Sequence, residues 1–178
     1  IVAVGVEQLY LCAKNLVSYG IKNILTEKPG GLDQQEISEL AAHADTKTHI
    51  YLAYNRRFYS SVLKAEEIIQ QDGGLSSLNF EFTEWGHTIE NLKKPKAVFE
   101  NWLTANSSHV IDLAFFLGGW PKEISTYVAN KNKLSWYSGP TNFTGAGITD
   151  RGALFNYSAN WCAPGRWGVE LLTEKHRL

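Results

Sequence analysis

Three successive strand-and-helix repeats occupy the first 71 residues and constrain the fold more than any other feature of the sequence. Short apolar segments at residues 1–6, 21–26 and 49–54 predict strands. Each segment is followed by residues with the apolar spacing of an amphipathic helix. The order β-α-β-α-β-α is typical of a parallel, right-handed α/β sheet whose strands are buried on both faces.

Helix boundary signals support this interpretation. The first predicted helix ends at Gly20, a residue type that favours helix termination. Asp33 and Glu36 have the spacing of a capping box, which predicts the start of the second helix. The third helix carries Val62, Ala65 and Ile69 on its inner face.

The hydrophobic period changes after Gly74. Residues 78–83 alternate between apolar and polar types, which predicts a strand with one wet face in an antiparallel sheet. A helix is predicted over residues 107–117, and further strands near 123–129, 153–161 and 168–173. We therefore predict an α/β fold with a boundary near Phe58, where part of a parallel sheet gives way to an α+β domain with an open, mainly antiparallel sheet.

Composition limits the classes of function. The chain has 178 residues, 44% of them hydrophobic, and a formal charge of −1, so it can form a substantial core and has no electrostatic preference for nucleic acid. No apolar stretch reaches the ~20 residues needed to span a bilayer, and a cytoplasmic location is expected. Cys12 and Cys162 are interpreted as buried thiols.

The two ends of the sequence suggest that it continues beyond them. The chain contains no Met and opens directly on an apolar strand pattern. It also ends at Leu178 inside another predicted strand. We therefore expect that the natural beginning and end of the protein lie outside these residues.

Candidate chemistry follows each predicted strand of the parallel sheet, because ligands bind at the carboxyl ends of such strands. These positions hold Gly5-Val6-Glu7, Glu27-Lys28-Pro29 and Asn55-Arg56-Arg57. Lys28 lies between a strand and a Pro-Gly-Gly turn, where its ammonium could stabilise a developing alkoxide. A surface lysine in a turn is the alternative, and the sequence leaves open whether the peptide bond before Pro29 is cis.

A second candidate opens the helix predicted at residue 107. His109 and Asp112 are three residues apart and share one helix face. In the first turn, the positive helix end would favour a neutral imidazole, which suits a general base. The alternative is that Ser107 or Ser108 caps the helix while His109 only packs.

Weaker signals come from aromatic and charged residues. Trp161, Arg166 and Trp167 could stack on a sugar ring, although aromatic side chains at a strand turn also serve for packing. Arg56 and Arg57 could bind an anionic group or could be simple surface charges. No metal is expected, because the lone histidines lack the spacing of a ligand set; they are His43, His49 and His87.

Taken in order, these segments resemble the Gfo/Idh/MocA family, which includes glucose-fructose oxidoreductase and inositol dehydrogenase. The resemblance covers essentially the whole chain. It rests on the following motifs: Glu27-Lys28-Pro29, Tyr54-Asn55-Arg56-Arg57-Phe58, Ser108-His109-Val110-Ile111-Asp112-Leu113, Trp161-Cys162-Ala163-Pro164-Gly165-Arg166-Trp167-Gly168 and Thr173-Glu174-Lys175.

The resemblance implies a partial Rossmann domain at residues 1–58 and a substrate domain at residues 59–178 that often forms a homo-oligomer through its sheet. It further implies NAD or NADP as cofactor and hydride transfer to or from a sugar, cyclitol or nucleotide-sugar carbon. Lys28 and His109 match the catalytic lysine and histidine, and Asp112 would hold the helix start. Cofactor contacts are implied for Gly5, Val6, Glu7, Glu27, Lys28, Pro29, Asn55 and Arg56. Substrate contacts are expected from Arg57, Asn106, Trp161, Arg166 and Trp167.

Two departures from the family pattern qualify this expectation. Many members have Asp four residues before the histidine, whereas this chain has Ala105. The Gly-x-Gly-x-x-Gly turn is not present, so these residues alone should bind cofactor poorly. The alternatives are an NAD-dependent glycosidase of the same fold and a noncatalytic sugar-binding or assembly module.

Overall fold

A computed structural model describes all 178 residues and divides them into two compact units. The first unit contains Ile1–Tyr54 together with Lys94–Ser108, and the second contains Asn55–Lys93 together with His109–Leu178. Residues 94–108, which the sequence assigned to the second domain, thus pack with the first unit. The domain boundary near Phe58 stays a prediction, because a unit of packing is not a unit of folding.

The first unit is built on two parallel strands. β1 (Asn23–Glu27) pairs in register with β2 (His49–Ala53), and α1 (Leu9–Ser18) and α2 (Gln34–His43) accompany them. The predicted first strand is wrong as a strand, because only Val2 forms a parallel bridge, to Thr26. The chain then leaves the sheet at Gly5 and enters a 3₁₀ turn over Val6–Gln8. Val2 still contributes its side chain to the core, where it packs with Leu9 and Ile24.

The start of α2 confirms the capping box. Asp33 Oδ1 accepts a hydrogen bond of 2.9 Å from the Glu36 amide. The Glu36 carboxylate accepts in return from the Leu32 amide at 2.6 Å, one residue further upstream than the usual partner. This double contact fixes the turn that leads from β1 into α2.

The second unit contains a five-stranded mixed sheet with the order β4-β5-β6-β3-β7. Every neighbouring pair is antiparallel except β3 with β6, which confirms the mainly antiparallel sheet. Its strands are β3 (Ser77–Trp85), β4 (Pro121–Lys131), β5 (Pro140–Thr149), β6 (Leu154–Asn160) and β7 (Cys162–Leu172). The remaining helices along the chain are α3 (Ser60–Gln71), α4 (Gly86–Ile89), α5 (Lys96–Glu100) and α6 (Ser108–Gly118), with α5 in the first unit.

β3 shows the predicted alternation. Leu78, Phe80 and Phe82 are buried on one face of the strand. Phe80 meets Phe115 of α6 edge to face, with ring centroids 5.4 Å apart. Burial of this face of β3, partly against α6 and partly against rings of the neighbouring strands, contributes to the core of the second unit.

Two regions of the sheet differ from what was predicted from the sequence. β5 was not predicted, because two of its positions are Gly145 and Gly147, which weaken a strand pattern. A Cβ at Gly147 would lie only 2.0 Å from the Glu123 carbonyl oxygen, so the close approach of β4 requires glycine there. The other region is Ala163-Pro164-Gly165, which lies inside β7 rather than in a turn.

Cys162 also departs from expectation. It is exposed at the start of β7, whereas Cys12 is half-buried and packs against the core of the first unit. The thiol of Cys162 lies 3.6 Å from the Thr141 hydroxyl. No helix in the structure combines the length and apolarity needed to cross a bilayer.

Candidate active site

Lys28 lies at the carboxyl end of β1, as predicted from the sequence. Its half-buried ammonium donates a 2.6 Å hydrogen bond to the backbone carbonyl of Ala105. The Lys28–Pro29 peptide is cis, and Gly30 follows with φ +91°. A side chain at Gly30 would come within 2.6 Å of Leu52, so both φ and space require glycine at this turn.

Ala105 belongs to a π-helical turn that the sequence did not indicate. The turn covers Leu103–Ser107 and runs directly into α6. Because this helical segment begins before residue 107, Ser107 and Ser108 do not cap a helix, and neither hydroxyl has a hydrogen-bond partner. The capping alternative is therefore wrong. Because the π-turn precedes α6 without a break, His109 does not lie in the first turn of a helix, where the helix dipole would favour a neutral imidazole.

The turn Gly5-Val6-Glu7, which follows the first predicted strand, is closed by its own glutamate. The Glu7 carboxylate folds back over Gly5, and a Cβ on Gly5 would lie 2.3 Å from Glu7 Oε1. Val6 and Glu7 lie in the 3₁₀ turn and are half-buried. At the carboxyl end of β1 the Glu27 side chain is exposed, while Pro29 is buried.

An ion pair organises the start of α6 in the second unit. Arg57 Nε donates to Asp112 Oδ2 at 2.8 Å, and Arg57 Nη2 donates to Asp112 Oδ1. The Arg57 guanidinium also lies over the Phe116 ring, 4.7 Å from its centroid. Half-buried His109 precedes Asp112 by one helical turn. Asp112 thus holds the turn after β2 rather than a helix start, and Arg57 has a structural partner that the sequence did not indicate.

Arg56 and Trp167 come together in the second unit. The Arg56 guanidinium lies 4.8 Å from the centroid of the Trp167 ring, whose Nε1 donates to Glu84 Oε1 at 3.0 Å. Both residues line a cavity of about 520 Å³ between α3, α6 and β7. Most of the remaining lining is apolar, including Val110 and Leu113.

Trp161 does not join these residues. It is completely buried and packs against the rings of Trp136, Tyr137 and Phe143 at centroid distances of 5.0–6.3 Å. These contacts favour the packing alternative for this residue. Arg166 is exposed on β7, with Nε 3.7 Å from Glu81 Oε2.

Two other predicted positions lie in short helical turns. Asn55 is exposed in a 3₁₀ turn over Asn55–Phe58, and Asn106 is half-buried in the π-turn. Lys28 belongs to the first unit and His109 to the second. No three histidine, cysteine or carboxylate side chains are grouped so that they could hold a metal ion.

Two partners of the predicted site residues carry no signal in the sequence. The Ala105 carbonyl is a backbone atom, and an alanine carries no side-chain signal of a hydrogen bond to a residue 77 positions away. Glu84 lies at the end of β3, where a carboxylate is unremarkable in sequence. Both were identifiable only from the packing of distant segments.

No protein-family model matches the sequence. No curated protein matches it either. Solved structures, in contrast, match closely in fold, and the three described below are all dehydrogenases or related oxidoreductases.

A levoglucosan dehydrogenase in complex with NADH and levoglucosan shares 19% identity with this chain at a TM-score of 0.77, covering 99% of this chain and 52% of its own. The WlbA dehydrogenase of Bordetella pertussis, in complex with NADH and UDP-GlcNAcA, shares 14% identity at a TM-score of 0.77. The match covers 99% of this chain and 53% of the WlbA chain. An NAD-binding oxidoreductase of Klebsiella pneumoniae shares 18% sequence identity at a TM-score of 0.76. The match covers 96% of this chain and 50% of the oxidoreductase chain.

These likenesses establish the fold. The chain has the fold predicted from its resemblance to Gfo/Idh/MocA oxidoreductases, and it spans about half the length of the solved structures that it matches.

Proposed function

We propose that this chain is part of an NAD(P)-dependent oxidoreductase that transfers a hydride between a carbon of a sugar, cyclitol or nucleotide sugar and nicotinamide. The observation that carries the proposal is the placement of Lys28 at the carboxyl end of a parallel strand, with its ammonium directed by the Ala105 carbonyl. Ligands of doubly wound sheets bind at this edge. The fold shared with dehydrogenases supports the same assignment.

Lys28 suits the role of an electrostatic stabiliser. An ammonium has three hydrogens and can donate more than one hydrogen bond, of which one goes to the Ala105 carbonyl. In the proposed reaction Lys28 donates another to a substrate oxygen. A donor held in place before the reaction stabilises the alkoxide without a reorganisation cost.

His109 suits the role of general base on a firmly held helix. The bidentate contact of Asp112 with Arg57 ties α6 to the turn Asn55–Phe58. This contact restricts the first turns of α6, and with them the position of His109.

The reaction follows from these roles. In the oxidation direction, His109 takes the proton of the substrate hydroxyl while Lys28 donates a hydrogen bond to the same oxygen. A nicotinamide cofactor would supply the acceptor for the hydride that leaves the substrate carbon. In the reverse direction His109 returns the proton to the oxygen.

The residues present fit one part of a dinucleotide. The exposed Glu27 carboxylate at the end of β1 can accept hydrogen bonds from ribose hydroxyls. The turn at Gly5, with Glu7 folded over it, suits a second contact on the same edge. Asn55 and the Arg56 backbone complete the proposed contacts.

Alanine substitutions test the proposal in the complete protein. Lys28→Ala and His109→Ala should each lower turnover by about 100-fold or more. Lys22→Ala and His87→Ala are matched controls, because both side chains are exposed; they should leave turnover unchanged. Full activity in Lys28→Ala or His109→Ala, with the fold intact, would remove that residue from the mechanism.

The form of turnover separates the proposed reaction from the alternatives. A dehydrogenase converts cofactor and substrate in equal amounts. A glycosidase of the same fold would release an aglycone with no net change in cofactor. A sugar-binding module would bind its ligand with no change in either.

We also propose that the complete protein forms a homo-oligomer through the sheet of the second unit. Support comes from β4, which is exposed along its whole length and carries Ile124, Tyr127 and Val128 at 51–72% exposure. Side chains alternate between the two faces of a strand, so Tyr127 lies on the face opposite Ile124 and Val128. Exposed apolar side chains on a sheet are typical of interaction surfaces. Light scattering on Tyr127→Lys should show a smaller species than the unmodified protein, and an unchanged mass would contradict the proposal.

A further inference from the structure

The hydrogen bond between Lys28 and Ala105 depends on an unusual piece of helix. π-helical turns are rare, occur mostly as single insertions within α-helices, and are frequently found at functional sites. The turn Leu103–Ser107 is of this kind, since α6 continues it without a break. Its middle residue is Ala105, which is 6% exposed.

Ala105 is anchored on its amide side by an α-type bond. Its N–H donates to the Asn101 carbonyl at 2.9 Å. The carbonyl of the same residue lies inside the π-turn, where the regular i to i+4 ladder is interrupted. A carbonyl oxygen has two lone pairs and can accept a strong, charge-assisted bond from an ammonium.

We propose that the π-turn is a positioning element for Lys28, in which the Ala105 carbonyl is directed at the lysine by the extra residue of the turn. This inference rests on the proposed role of Lys28 in stabilising the substrate oxygen. Ala105 is a positioning residue and contacts no reacting atom. Because the contact is made by the backbone, it works with any small side chain at position 105.

The π-turn also gives a reason for a small residue at this position. With Ala105 6% exposed, a larger side chain would have to displace its neighbours. The Ala105 carbonyl is a neutral dipole, so its hydrogen bond orients the Lys28 ammonium without cancelling the positive charge.

Deletion of Thr104 tests the role of the extra residue. The shortened segment can form a regular α-turn, in which the His109 N–H competes for the Ala105 carbonyl. We expect kcat of the complete protein to fall at least about tenfold, since misplacement of a catalytic group by about 1 Å can cost 100-fold. KM should change by less than about threefold. Deletion of Lys93, in the loop before α5, is the matched control and should leave kcat unchanged.

The ammonium of Lys28 can also be observed directly. In ¹⁵N-lysine-labelled protein, hydrogens held by a carbonyl exchange slowly with water, and the signal of Lys28 is identified by its loss in Lys28→Met. We expect this slow signal in the unmodified protein and in the Lys93 deletion, but not in the Thr104 deletion. A Thr104 deletion that keeps both the signal and kcat would overturn the proposal.

A backbone ester provides a second variant in case the deletion does not fold. Replacement of Asn106 by its α-hydroxy acid converts the Ala105 carbonyl to a weaker ester acceptor without changing any side chain. An ester also removes the backbone N–H of the replaced residue. The same change at Thr104 removes one N–H and weakens the Leu103 carbonyl, and it is the control for the loss of a backbone donor. Faster exchange of the Lys28 hydrogens and a several-fold lower kcat are expected only for the Asn106 ester, and equal effects of the two esters would overturn the proposal.

Different results would contradict the proposed function and the positioning role of the π-turn. If Lys28→Ala is fully active, the proposed function is wrong, whereas the exchange measurement still reports whether the π-turn holds the lysine. If Lys28→Ala is inactive but the Lys28 hydrogens exchange rapidly in the unmodified protein, the function stands and the positioning role is wrong.

Discussion

Arg57 Nε lies 2.8 Å from Asp112 Oδ2, and the second guanidinium nitrogen of Arg57 contacts the other oxygen of the same carboxylate. The fork of the guanidinium thus matches the carboxylate in bidentate geometry. The pair is largely shielded from water, with 32% of the arginine side chain and 13% of the aspartate side chain exposed. It joins two segments that are 55 residues apart in the sequence.

Loss of one member of this pair should destabilise the second unit. Asp112→Asn removes the negative charge that binds the Arg57 guanidinium in bidentate geometry, and we expect a loss of about 2 kcal/mol in the free energy of unfolding. Urea denaturation measures it. Lys64→Ala breaks the exposed pair with Glu67 and is the control, expected to cost less than about 0.5 kcal/mol. Equal losses for Asp112→Asn and Lys64→Ala would contradict this assignment.

A second prediction concerns stability at acid pH. His176, at 2.7 Å, and Thr173, at 2.6 Å, hydrogen-bond to Asp72 and hold the pKa of its carboxyl below the ordinary value. Since the folded-state pKa is lowered, the stabilisation is complete above the unfolded pKa of about 3.9 and is lost as the pH falls through the folded value.

Urea midpoints at pH 6, 4 and 3 check this dependence. Asp72→Asn should be less stable than the unmodified protein at pH 6 and should lose less stability between pH 4 and pH 3. Glu174→Gln is the control, because this exposed residue lies in the same turn and makes no such bond. An unchanged acid dependence in Asp72→Asn would show that Asp72 is not the group responsible.

The third prediction separates packing from sugar binding at Trp161. Trp161→Ala should cost roughly 3–5 kcal/mol, because the side chain is fully buried among aromatic rings. Trp161→Phe keeps most of the packing and should leave the KM for substrate unchanged in the complete protein. A large rise in KM for the folded Trp161→Phe protein would restore a role in substrate binding.

The fourth prediction tests the close approach of β4 and β5. In Gly147→Ala the new methyl group would lie 2.0 Å from the Glu123 carbonyl oxygen and 2.7 Å from the Phe155 ring. We expect a loss of about 2 kcal/mol in the free energy of unfolding. Gly168→Ala, in β7, meets no atom closer than 3.9 Å and should change stability by less than about 0.5 kcal/mol. Similar values for the two variants would contradict the packing argument.

The sequence by itself determined those features that depend on near neighbours. The alternation of strand and helix, the cap formed by Asp33 and Glu36, and the buried face of β3 follow from periods of 2.0 and 3.6 residues and from short-range hydrogen bonds. Lys28 at the end of β1 was predictable for the same reason.

Only the tertiary structure decided which distant groups meet. Lys28 donates a hydrogen bond to the Ala105 carbonyl, 77 residues away in the sequence. Asp112 accepts hydrogen bonds from Arg57, 55 residues away, and does not cap a helix. Trp161 and Trp167 have similar local sequence surroundings, but one is enclosed by rings and the other stacks with Arg56. Such choices are made by the burial and charge of groups brought together by folding, which local spacing does not encode.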